Sequence, residues 1–343
     1  MTKATKKAKR SDDDSISSLP PKPKIESAED VLNRIFSSND GMTSVGAEIA
    51  NLSSRYAALQ NITFPKPSAT RLIAVANQKG GVGKTTTTVN VACALAEYGA
   101  QVLVIDMDPQ GNATTALGIV REQDMRTTYD VIEGRYGIEE VKLPCKYFKT
   151  LDVVPASIDL SGAELELANL PDRNQLLNNA LSYFLENSKV HYDYVFIDCP
   201  PSLGLLVLNA MCSVNEVLIP VQAEYYALEG LQQLLHTISL VQENYNHNLI
   251  VSTMVITMFD KRTLLSQEVY EEVKQHYPKI VLKTTIPRSV KISEAPSFAQ
   301  SVISYDSRGA GSIAYSEAAL EIAERSQRVL KAIDKRHVDR ENK

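Results

Sequence analysis

Short apolar runs recur along most of the chain, and longer stretches with apolar residues at helical spacing lie between them. The runs that predict strands are residues 71–77, 102–106, 151–155, 194–198, 217–221 and 251–257. The stretches that predict helices are residues 85–98, 173–186, 228–244 and 265–276. Runs that are apolar throughout are typical of parallel strands covered on both faces. The alternation predicts an α/β fold in which a mostly parallel, twisted sheet has helices on both faces.

The N-terminal part of the chain has a different pattern. Residues 1–26 combine a basic run, consecutive aspartates and the segment P-P-K-P-K, a composition too polar and Pro-rich to bury a core, so we expect disorder there. Residues 27–60 are expected to form helices. Their apolar residues recur at helical spacing, first as Val31, Leu32, Ile35 and Phe36 and then as Val45, Ile49, Leu52, Tyr56 and Leu59. Two roles are open for these narrow apolar stripes. The helices could dock on the main domain, or they could hold a dimer or a partner.

These patterns divide the chain into three predicted parts. The N-terminal extension covers residues 1–66, the main α/β domain residues 67–335 and a flexible tail residues 336–343. A chain of 343 residues is long enough for one large domain with a substantial core and an appendage. We therefore expect a single catalytic domain.

Composition narrows the classes of protein that fit. The formal net charge of -5 argues against a protein that is basic throughout, so nucleic-acid binding would need a local basic patch. Cys93, Cys145, Cys199 and Cys212 have no C-x-x-C spacing, which is typical of reduced packing residues rather than of a zinc site. The sequence has no apolar run of the length of a signal peptide core or a membrane-spanning helix, so we expect a soluble, cytoplasmic protein.

The strongest chemical signal follows the first predicted strand. Residues 78–86 read Q-K-G-G-V-G-K-T-T and open the next predicted helix, which is the context in which a Gly-rich loop binds phosphates. Gly80, Gly81 and Gly83 allow backbone N–H groups to point at oxyanions, and the helix N-terminus adds a partial positive charge. Lys84 is expected to reach the β- and γ-phosphates, and the Thr85 hydroxyl to ligate Mg²⁺.

The loop departs from the general pattern, because Gln78 occupies a glycine position and a second lysine, Lys79, follows it. The segment K-G-G-V-G-K-T-T resembles the deviant Walker A box of the ParA/MinD superfamily, and the resemblance extends from about residue 71 to residue 325. It implies an ATPase with weak intrinsic turnover that binds ATP and Mg²⁺ and forms a homodimer around two ATP molecules. Lys79 would cross to the phosphates of the other subunit and act much as an arginine finger does. The nucleotide-binding residues implied are Lys79, Gly80, Gly81, Val82, Gly83, Lys84, Thr85 and Thr86.

Three aspartates lie at or just after the ends of two predicted strands. Asp106 and Asp108 flank one residue in D-M-D-P-Q-G-N, and period-two spacing would place both carboxylates on the same side of an extended segment. In the resembling family this stretch is switch I; the residue matching Asp108 positions the attacking water, and the one matching Asp106 lies nearer the metal. Asp198 ends the run Y-V-F-I-D, which looks like Walker B and would hold Mg²⁺ through water.

Such strand ends meet at one edge of an open α/β sheet, which favours a single composite site. The predicted catalytic residues are Lys79, Lys84 and Asp108. The residues predicted at the metal are Thr85, Asp106 and Asp198.

Four longer segments refine the resemblance. Residues 155–164, 224–231, 257–263 and 286–297 resemble chromosomal ParA or Soj proteins. That subfamily implies chromosome partitioning: the ATP dimer binds double-stranded DNA of the nucleoid without sequence preference, and a ParB-like centromere-binding partner stimulates hydrolysis and release. Binding of this kind uses DNA phosphates and weakens steeply with salt.

The resemblance also implies two sets of contacts. Adenine recognition would involve Met258 and Pro287. Tyr225 and Tyr226 could stack on exposed bases, but packing in the core is the interpretation that their apolar surroundings favour. A basic stripe that contacts DNA would lie among Lys261, Arg262, Arg288 and Lys291. For each of these residues, an ordinary solvated surface charge is an equally open interpretation.

Three other functions fit parts of the sequence. A MinD-like ATPase on a membrane needs an amphipathic C-terminal helix, but the end of this chain has mixed charges and neither Phe nor Trp, so no membrane association is expected. An iron–sulfur carrier of the superfamily needs paired cysteines, whose spacing is missing. A ParA-like protein that positions another cargo would have the same ATP site and stays an alternative. The N-terminal extension does not resemble a helix-turn-helix domain, and a polar scaffold partner is one role open to it.

Overall fold

The computed structural model describes residues 44–122, 124–167, 170–225 and 227–341. The chain divides into two compact units, residues 1–50 and residues 51–343. In the first unit only residues 44–50 are described, and they form the start of the helix Ser44–Gln60, which confirms the second predicted N-terminal helix. The disorder predicted for residues 1–26 and the helix predicted near Val31 lie outside the described residues.

Seven strands form one sheet. In chain order they are β1 (Arg71–Val75), β2 (Val102–Asp106), β3 (Leu143–Pro144), β4 (Leu151–Val154), β5 (Tyr194–Asp198), β6 (Glu216–Gln222) and β7 (Ile250–Thr257). Across the sheet the order is β3-β4-β2-β5-β1-β6-β7, and neighbouring strands are parallel except for β3 with β4. The predicted α/β class with a mostly parallel sheet is therefore confirmed. The antiparallel β3 was not predicted, because so short a strand cannot carry a periodic pattern.

Helices connect and cover the strands. They are α1 (Ser44–Gln60), α2 (Lys84–Glu97), α3 (Asn112–Ala116), α4 (Thr128–Ile132), α5 (Ile138–Val141), α6 (Leu160–Glu166), α7 (Leu176–Asn187), α8 (Leu205–Cys212), α9 (Ala227–Asn244), α10 (Leu264–His276), α11 (Val290–Glu294), α12 (Val302–Tyr305), α13 (Ala310–Glu324) and α14 (Ser326–Glu341), with a 3₁₀ helix at Ala295–Phe298. The four helices predicted in the main domain correspond to α2, α7, α9 and α10.

Alternate residues of the strands pack into two separate cores. Ala74 of β1 packs into a core that includes Leu177 of α7 and Leu234 of α9. Ile73 and Val75 of the same strand pack into a core that also contains α2 and α13. Since successive side chains of a strand point to opposite faces, helices cover both faces of the sheet, as predicted.

Strand register brings the chemical residues to one edge of the sheet. Asp198, the last residue of β5, pairs with Asp106 of β2 on one side and with Val75 of β1 on the other. The loop that leaves β1 toward α2 therefore begins beside Asp198, with Asp106 one strand further away. This edge is the carboxyl end of the parallel strands, where open α/β sheets bind ligands.

The last described helix runs across the boundary predicted at residue 335, and the division of the chain into three parts stays a prediction. Helix α14 continues to Glu341 and so crosses the boundary predicted at residue 335. Secondary structure thus gives no break between the main domain and the predicted tail. Among the described residues, no helix has both the length and the apolar character needed to span a bilayer.

The four cysteines are buried and free, which agrees with their predicted role in packing. Burial raises the pKa of each thiol. Because the thiolate is the reactive form, these side chains are held in their unreactive, protonated state.

Candidate functional site

The Gly-rich loop between β1 and α2 has the backbone shape of a phosphate cradle. Gly81 and Gly83 have φ values of 78° and 92°, a left-handed conformation that strains residues with a Cβ. Gly83 caps α2, so the first amide groups of that helix face the loop. The Thr257 hydroxyl at the end of β7 donates to the Val82 carbonyl at 2.8 Å, which fixes the loop against the sheet.

Lys84 lies inside this loop at the first position of α2. Its side chain is buried, and its Nζ donates to the Lys79 carbonyl at 3.2 Å. Burial lowers the pKa of Lys84, while the nearby charge of Asp198 opposes that shift. A buried ammonium group in a loop of backbone N–H donors is stabilised by a bound anion.

Lys79 is bound within its own chain. Its Nζ lies 2.9 Å from Glu224 Oε2, and both side chains are partly exposed. Glu224 also accepts a hydrogen bond of 2.5 Å from Gln222 Nε2. The Lys79 amide donates to Asn77 Oδ1 at 3.0 Å, so both ends of this residue have fixed partners. Glu224 was not predicted as a partner of Lys79, although it opens segment 224–231, which resembles chromosomal ParA proteins.

Asp106 anchors the loop that follows β2. Its Oδ2 accepts hydrogen bonds from the Thr114 amide at 2.8 Å and the Thr114 hydroxyl at 2.7 Å, and its Oδ1 accepts one from the Asp108 amide at 3.1 Å. Strand β2 ends at Asp106, and the Met107 amide still donates to the Asp198 carbonyl at 3.0 Å. The chain turns after Asp108, where the Gly111 amide donates to the Asp108 carbonyl at 2.8 Å. Thr114 was not predicted.

Asp108 lies in the same loop and is buried. Its Oδ1 accepts a hydrogen bond from the Gln110 amide at 3.0 Å, and its carbonyl accepts one from Gly111 at 2.8 Å. The charge of Asp108 acts on the pKa of Lys84, which places the carboxylate within electrostatic range of the P-loop. The loop after β2 thus brings Asp108 near Lys84, and both are predicted catalytic residues.

Asp198 has one carboxylate oxygen that makes no hydrogen bond. It is fully buried, its Oδ1 accepts a hydrogen bond from the Thr88 hydroxyl at 2.9 Å, and its Oδ2 has no hydrogen-bond partner. Burial raises the pKa of Asp198, and the adjacent charge of Asp106 raises it further. A buried carboxylate oxygen with no partner, near the hydroxyl of Thr85, has the chemistry of a Mg²⁺ site. The residues present therefore fit a divalent cation.

The residues expected near adenine lie together beside the P-loop. Met258 follows Thr257 and adopts a left-handed backbone with φ of 52°, and its Sδ lies 3.3 Å from Gln222 Nε2. Pro287 reaches the same place because residues 259 and 287 form a parallel bridge. The sheet thus brings both segments next to the loop that Thr257 anchors.

The four basic residues expected at DNA are all exposed, and the same bridge brings their two segments together. The Arg288 amide donates to the Phe259 carbonyl at 3.3 Å. Arg262 pairs with Asp260 at 2.8 Å, and its guanidinium lowers the pKa of that carboxyl to about 2. Lys291 pairs with Glu294 at 3.0 Å. The acidic partners reduce the positive charge that Arg262 and Lys291 present. The four residues of this set are Lys261, Arg262, Arg288 and Lys291, and the side chain of each is exposed.

Known proteins share this sequence and fold. The family model described as "AAA domain" matches residues 70–251, more than half of the chain. Sporulation initiation inhibitor protein Soj of Bacillus subtilis is 47% identical over 74% of this chain and 98% of its own length. Chromosome partitioning protein ParA of Caulobacter vibrioides is 46% identical over 75% of this chain and 95% of its own length.

Solved structures with the same architecture include cobyrinic acid a,c-diamide synthase from Mycobacterium smegmatis with bound ATP analog and magnesium. It is 35% identical, with a TM-score of 0.65 over 76% of this chain and 96% of that chain. The septum site-determining protein MinD from Pyrococcus horikoshii, complexed with Mg-ADP, is 24% identical with a TM-score of 0.59 over 74% of this chain and 96% of that chain, and this likeness shows the fold alone.

These solved structures and the sequence relatives are named for different activities, so likeness in fold does not select a function. The relatives ParA and Soj, however, are matched over nearly their whole length. The residues that the family model matches, 70–251, include the P-loop and the aspartate-bearing strand ends described above. The chain therefore belongs to the ParA/Soj family of chromosome-partitioning proteins, within the ParA/MinD superfamily that its P-loop segment resembles.

Proposed function

We propose that this protein is a chromosome-partitioning ATPase whose ATP-bound dimer binds double-stranded DNA without sequence preference. A ParB-like centromere-binding partner would stimulate hydrolysis and thereby release the dimer from DNA. The observation that carries the ATPase part is the buried Lys84 inside a Gly-rich loop, beside the unpaired oxygen of Asp198. Partitioning rests on the names of the ParA and Soj relatives. Such a protein would work in the cytoplasm, associated with the nucleoid.

The side chains have distinct roles in this proposal. The amides around Gly81 and Gly83 would hold the phosphates, and Lys84 would neutralise the β- and γ-phosphate oxygens. Mg²⁺, when bound by the Thr85 hydroxyl and through water by Asp198, would neutralise phosphate charge. Asp108 would orient the attacking water, whereas Asp106 would hold the loop in shape through Thr114. Catalysis would then depend on positioning and charge, as in other phosphoryl transfers.

Lys79 would complete the site of a second subunit. In the single chain its ammonium group is neutralised by Glu224, so dimer formation would exchange this carboxylate for the phosphates of the partner's nucleotide. An exposed ion pair contributes little stability, so the exchange would cost little. The lysine would then stabilise the charge that develops during hydrolysis.

Replacing Lys79 with alanine is expected to leave a monomer that still binds nucleotide. The second subunit then lacks the Lys79 ammonium group that would bind the phosphates held by the first subunit. Lys84 and the loop amides, which would bind nucleotide within one subunit, are unchanged. Light scattering coupled to gel filtration, with a non-hydrolysable ATP analogue, measures the dimer, and a fluorescent nucleotide measures binding. The matched control is Lys149→Ala, which removes an exposed lysine on the loop before β4. Dimerisation of the Lys79→Ala protein at wild-type concentrations would contradict the role.

The DNA-binding part is tested by gel retardation with ATP, with ADP and without nucleotide, over a salt series. We expect binding with ATP alone, and an affinity that falls about 100-fold or more between 50 and 200 mM salt, since several phosphates are neutralised at once. Combined alanine replacement of Lys261, Arg262, Arg288 and Lys291 should weaken binding and flatten the salt dependence, while Lys149→Ala should do neither. Retardation that is equal with and without ATP would reject the nucleotide switch.

A second candidate is a ParA-like ATPase that positions a cargo other than the chromosome. It is favoured by one observation: Soj is matched over 98% of its length but covers only 74% of this chain, so a quarter of this chain has no counterpart there. The unmatched extension could bind a polar scaffold. Deletion of the protein from cells separates the two, because the first function predicts missegregated chromosomes and the second a misplaced cargo with normal segregation.

A further inference from the structure

The Thr88 hydroxyl lies between the helix that follows the phosphate loop and the aspartate that closes β5. Thr88 is on α2, one helical turn after Lys84, and its side chain is fully buried. Its Oγ1 donates to Asp198 Oδ1 at 2.9 Å and lies 3.0 Å from the Lys84 carbonyl oxygen. A hydroxyl has one hydrogen, and an ionised carboxylate is the stronger acceptor, so the hydrogen is directed at Asp198. None of the roles proposed above uses this contact.

This contact fixes one oxygen of the Asp198 carboxylate and leaves the other free. Asp198 is the last residue of β5, and pairing with β1 and β2 holds its backbone. That pairing does not hold the carboxylate, which can still rotate about its Cβ–Cγ bond. Thr88 gives Oδ1 a fixed partner, whereas Oδ2 has no hydrogen-bond partner among the described residues. The hydroxyl therefore determines the direction in which the free oxygen points.

The threonines of α2 differ in what their hydroxyls contact. Thr85, the hydroxyl expected to ligate Mg²⁺, is three positions before Thr88, so the two lie on the same face of the helix. Groups that orient a metal-directed carboxylate typically contribute about 10- to 100-fold to metal affinity. Thr87 is buried as fully as Thr88, but its hydroxyl has no hydrogen-bond partner in the described part of the chain. Burial in α2 therefore does not by itself give a threonine hydroxyl a partner.

We propose that Thr88 is a positioning residue for the metal site: its hydroxyl holds Asp198 Oδ1 so that Oδ2 stays available to the water shell of Mg²⁺. The inference rests on the proposed function, because it concerns the cation that would bind together with the nucleotide. Packing alone is the competing explanation, since buried threonines in helices often bond the carbonyl four residues earlier. Valine separates the two explanations, because it has nearly the shape of threonine and lacks the hydroxyl.

The test measures cation binding to the full chain, with Mn²⁺ as the probe and with ADP as the nucleotide, so that dimer formation around ATP has no effect. Electron paramagnetic resonance measures free Mn²⁺ in the presence of protein and equimolar ADP, and a fluorescent ADP analogue in EDTA measures nucleotide affinity without metal. We expect Thr88→Val to weaken Mn²⁺ binding about tenfold and to change nucleotide affinity in EDTA less than about twofold. Thr88→Ser, which keeps the hydroxyl, should bind Mn²⁺ within about threefold of wild type. The matched control Thr87→Val removes the neighbouring hydroxyl and should bind Mn²⁺ as wild-type protein does.

Equal Mn²⁺ affinity of the Thr88→Val and wild-type proteins would overturn the inference, and so would an equal loss in Thr87→Val or in Thr88→Ser. If thermal unfolding shows that Thr88→Val does not fold, Thr88→Ala is compared with Thr88→Ser by the same criteria, because alanine removes the hydroxyl and favours the helix. The wild-type protein separates this inference from the proposed function. Absence of Mn²⁺-dependent ADP binding by wild-type protein would reject the ATPase proposal and the inference together, whereas metal-dependent binding that is equal in wild-type and Thr88→Val proteins would reject the inference alone.

Discussion

Replacing Lys84 with alanine is expected to abolish useful nucleotide binding, with an affinity about 100-fold weaker than that of wild-type protein. The Lys84 ammonium group is buried at the start of α2, where burial lowers its pKa and the charges of Asp198 and Asp108 only partly offset that shift. Charge-assisted hydrogen bonds to phosphate oxygens each contribute about 1.5–3 kcal/mol, so loss of one or two of them accounts for that factor. Titration with a fluorescent ATP analogue measures the effect.

The Lys84→Ala protein should stay folded, which makes this result interpretable. A lowered pKa means that the charged lysine is less favourable in the folded chain than in the unfolded chain, so removing the charge costs no electrostatic stability. The lost bond to the Lys79 carbonyl is a single hydrogen bond. Lys149→Ala, on an exposed loop, is the matched control and should bind nucleotide normally. A folded Lys84→Ala protein that binds within about threefold of wild type would contradict the phosphate role.

The architecture was predictable because buried parallel strands leave a direct trace in the sequence. The run that ends at Asp198 is apolar throughout, and the structure buries every residue of β5. Short helices leave no such trace. Helix α3, for example, has five residues, fewer than two helical turns, and its position is set by the bonds of Thr114 to Asp106 rather than by an apolar stripe.

The candidate site was predictable to the extent that its residues are close in sequence. The P-loop is one continuous segment, and the aspartates close strands whose ends must meet at one edge. Pairing across the fold was not predictable: Lys79 and Glu224 are 145 positions apart, and nothing in their local patterns relates them. The same holds for the Thr88 hydroxyl on Asp198, where the two residues lie 110 positions apart.

The aspartates also show why residue type alone does not assign a role. Asp106 and Asp198 are both buried at strand ends and are partners in the sheet register. Both oxygens of Asp106 are occupied by the loop that follows it, whereas one oxygen of Asp198 has no partner. A structural role therefore suits the first and a metal-directed role the second. Sequence spacing treats the two alike.

Replacing Asp108 with alanine is expected to leave ATP binding near the wild-type level, lower turnover about 100-fold and trap the dimer on DNA. The Lys84 side chain and the loop amides, which would bind the phosphates, are unchanged. The carboxylate that would orient the attacking water is lost, and positioned acid–base groups typically contribute about 100-fold or more to rate. Single-turnover hydrolysis and retention of ATP-bound protein on DNA measure the two effects. Asp334→Ala, which changes an exposed aspartate of α14, should alter neither.

A conservative variant separates this chemistry from the shape of the loop. Asp108 also accepts a hydrogen bond from the Gln110 amide, so alanine could slow turnover merely by loosening the turn after β2. Asparagine keeps an oxygen for that amide but lacks the negative charge. If Asp108→Asn is as slow as Asp108→Ala, the charge acts on the water; if Asp108→Asn turns over like wild-type protein, Asp108 only shapes the loop and the water-positioning role is rejected. The first outcome is expected, because the Asp106 carboxylate, with its own bonds to Thr114, holds the loop without help from the charge of Asp108.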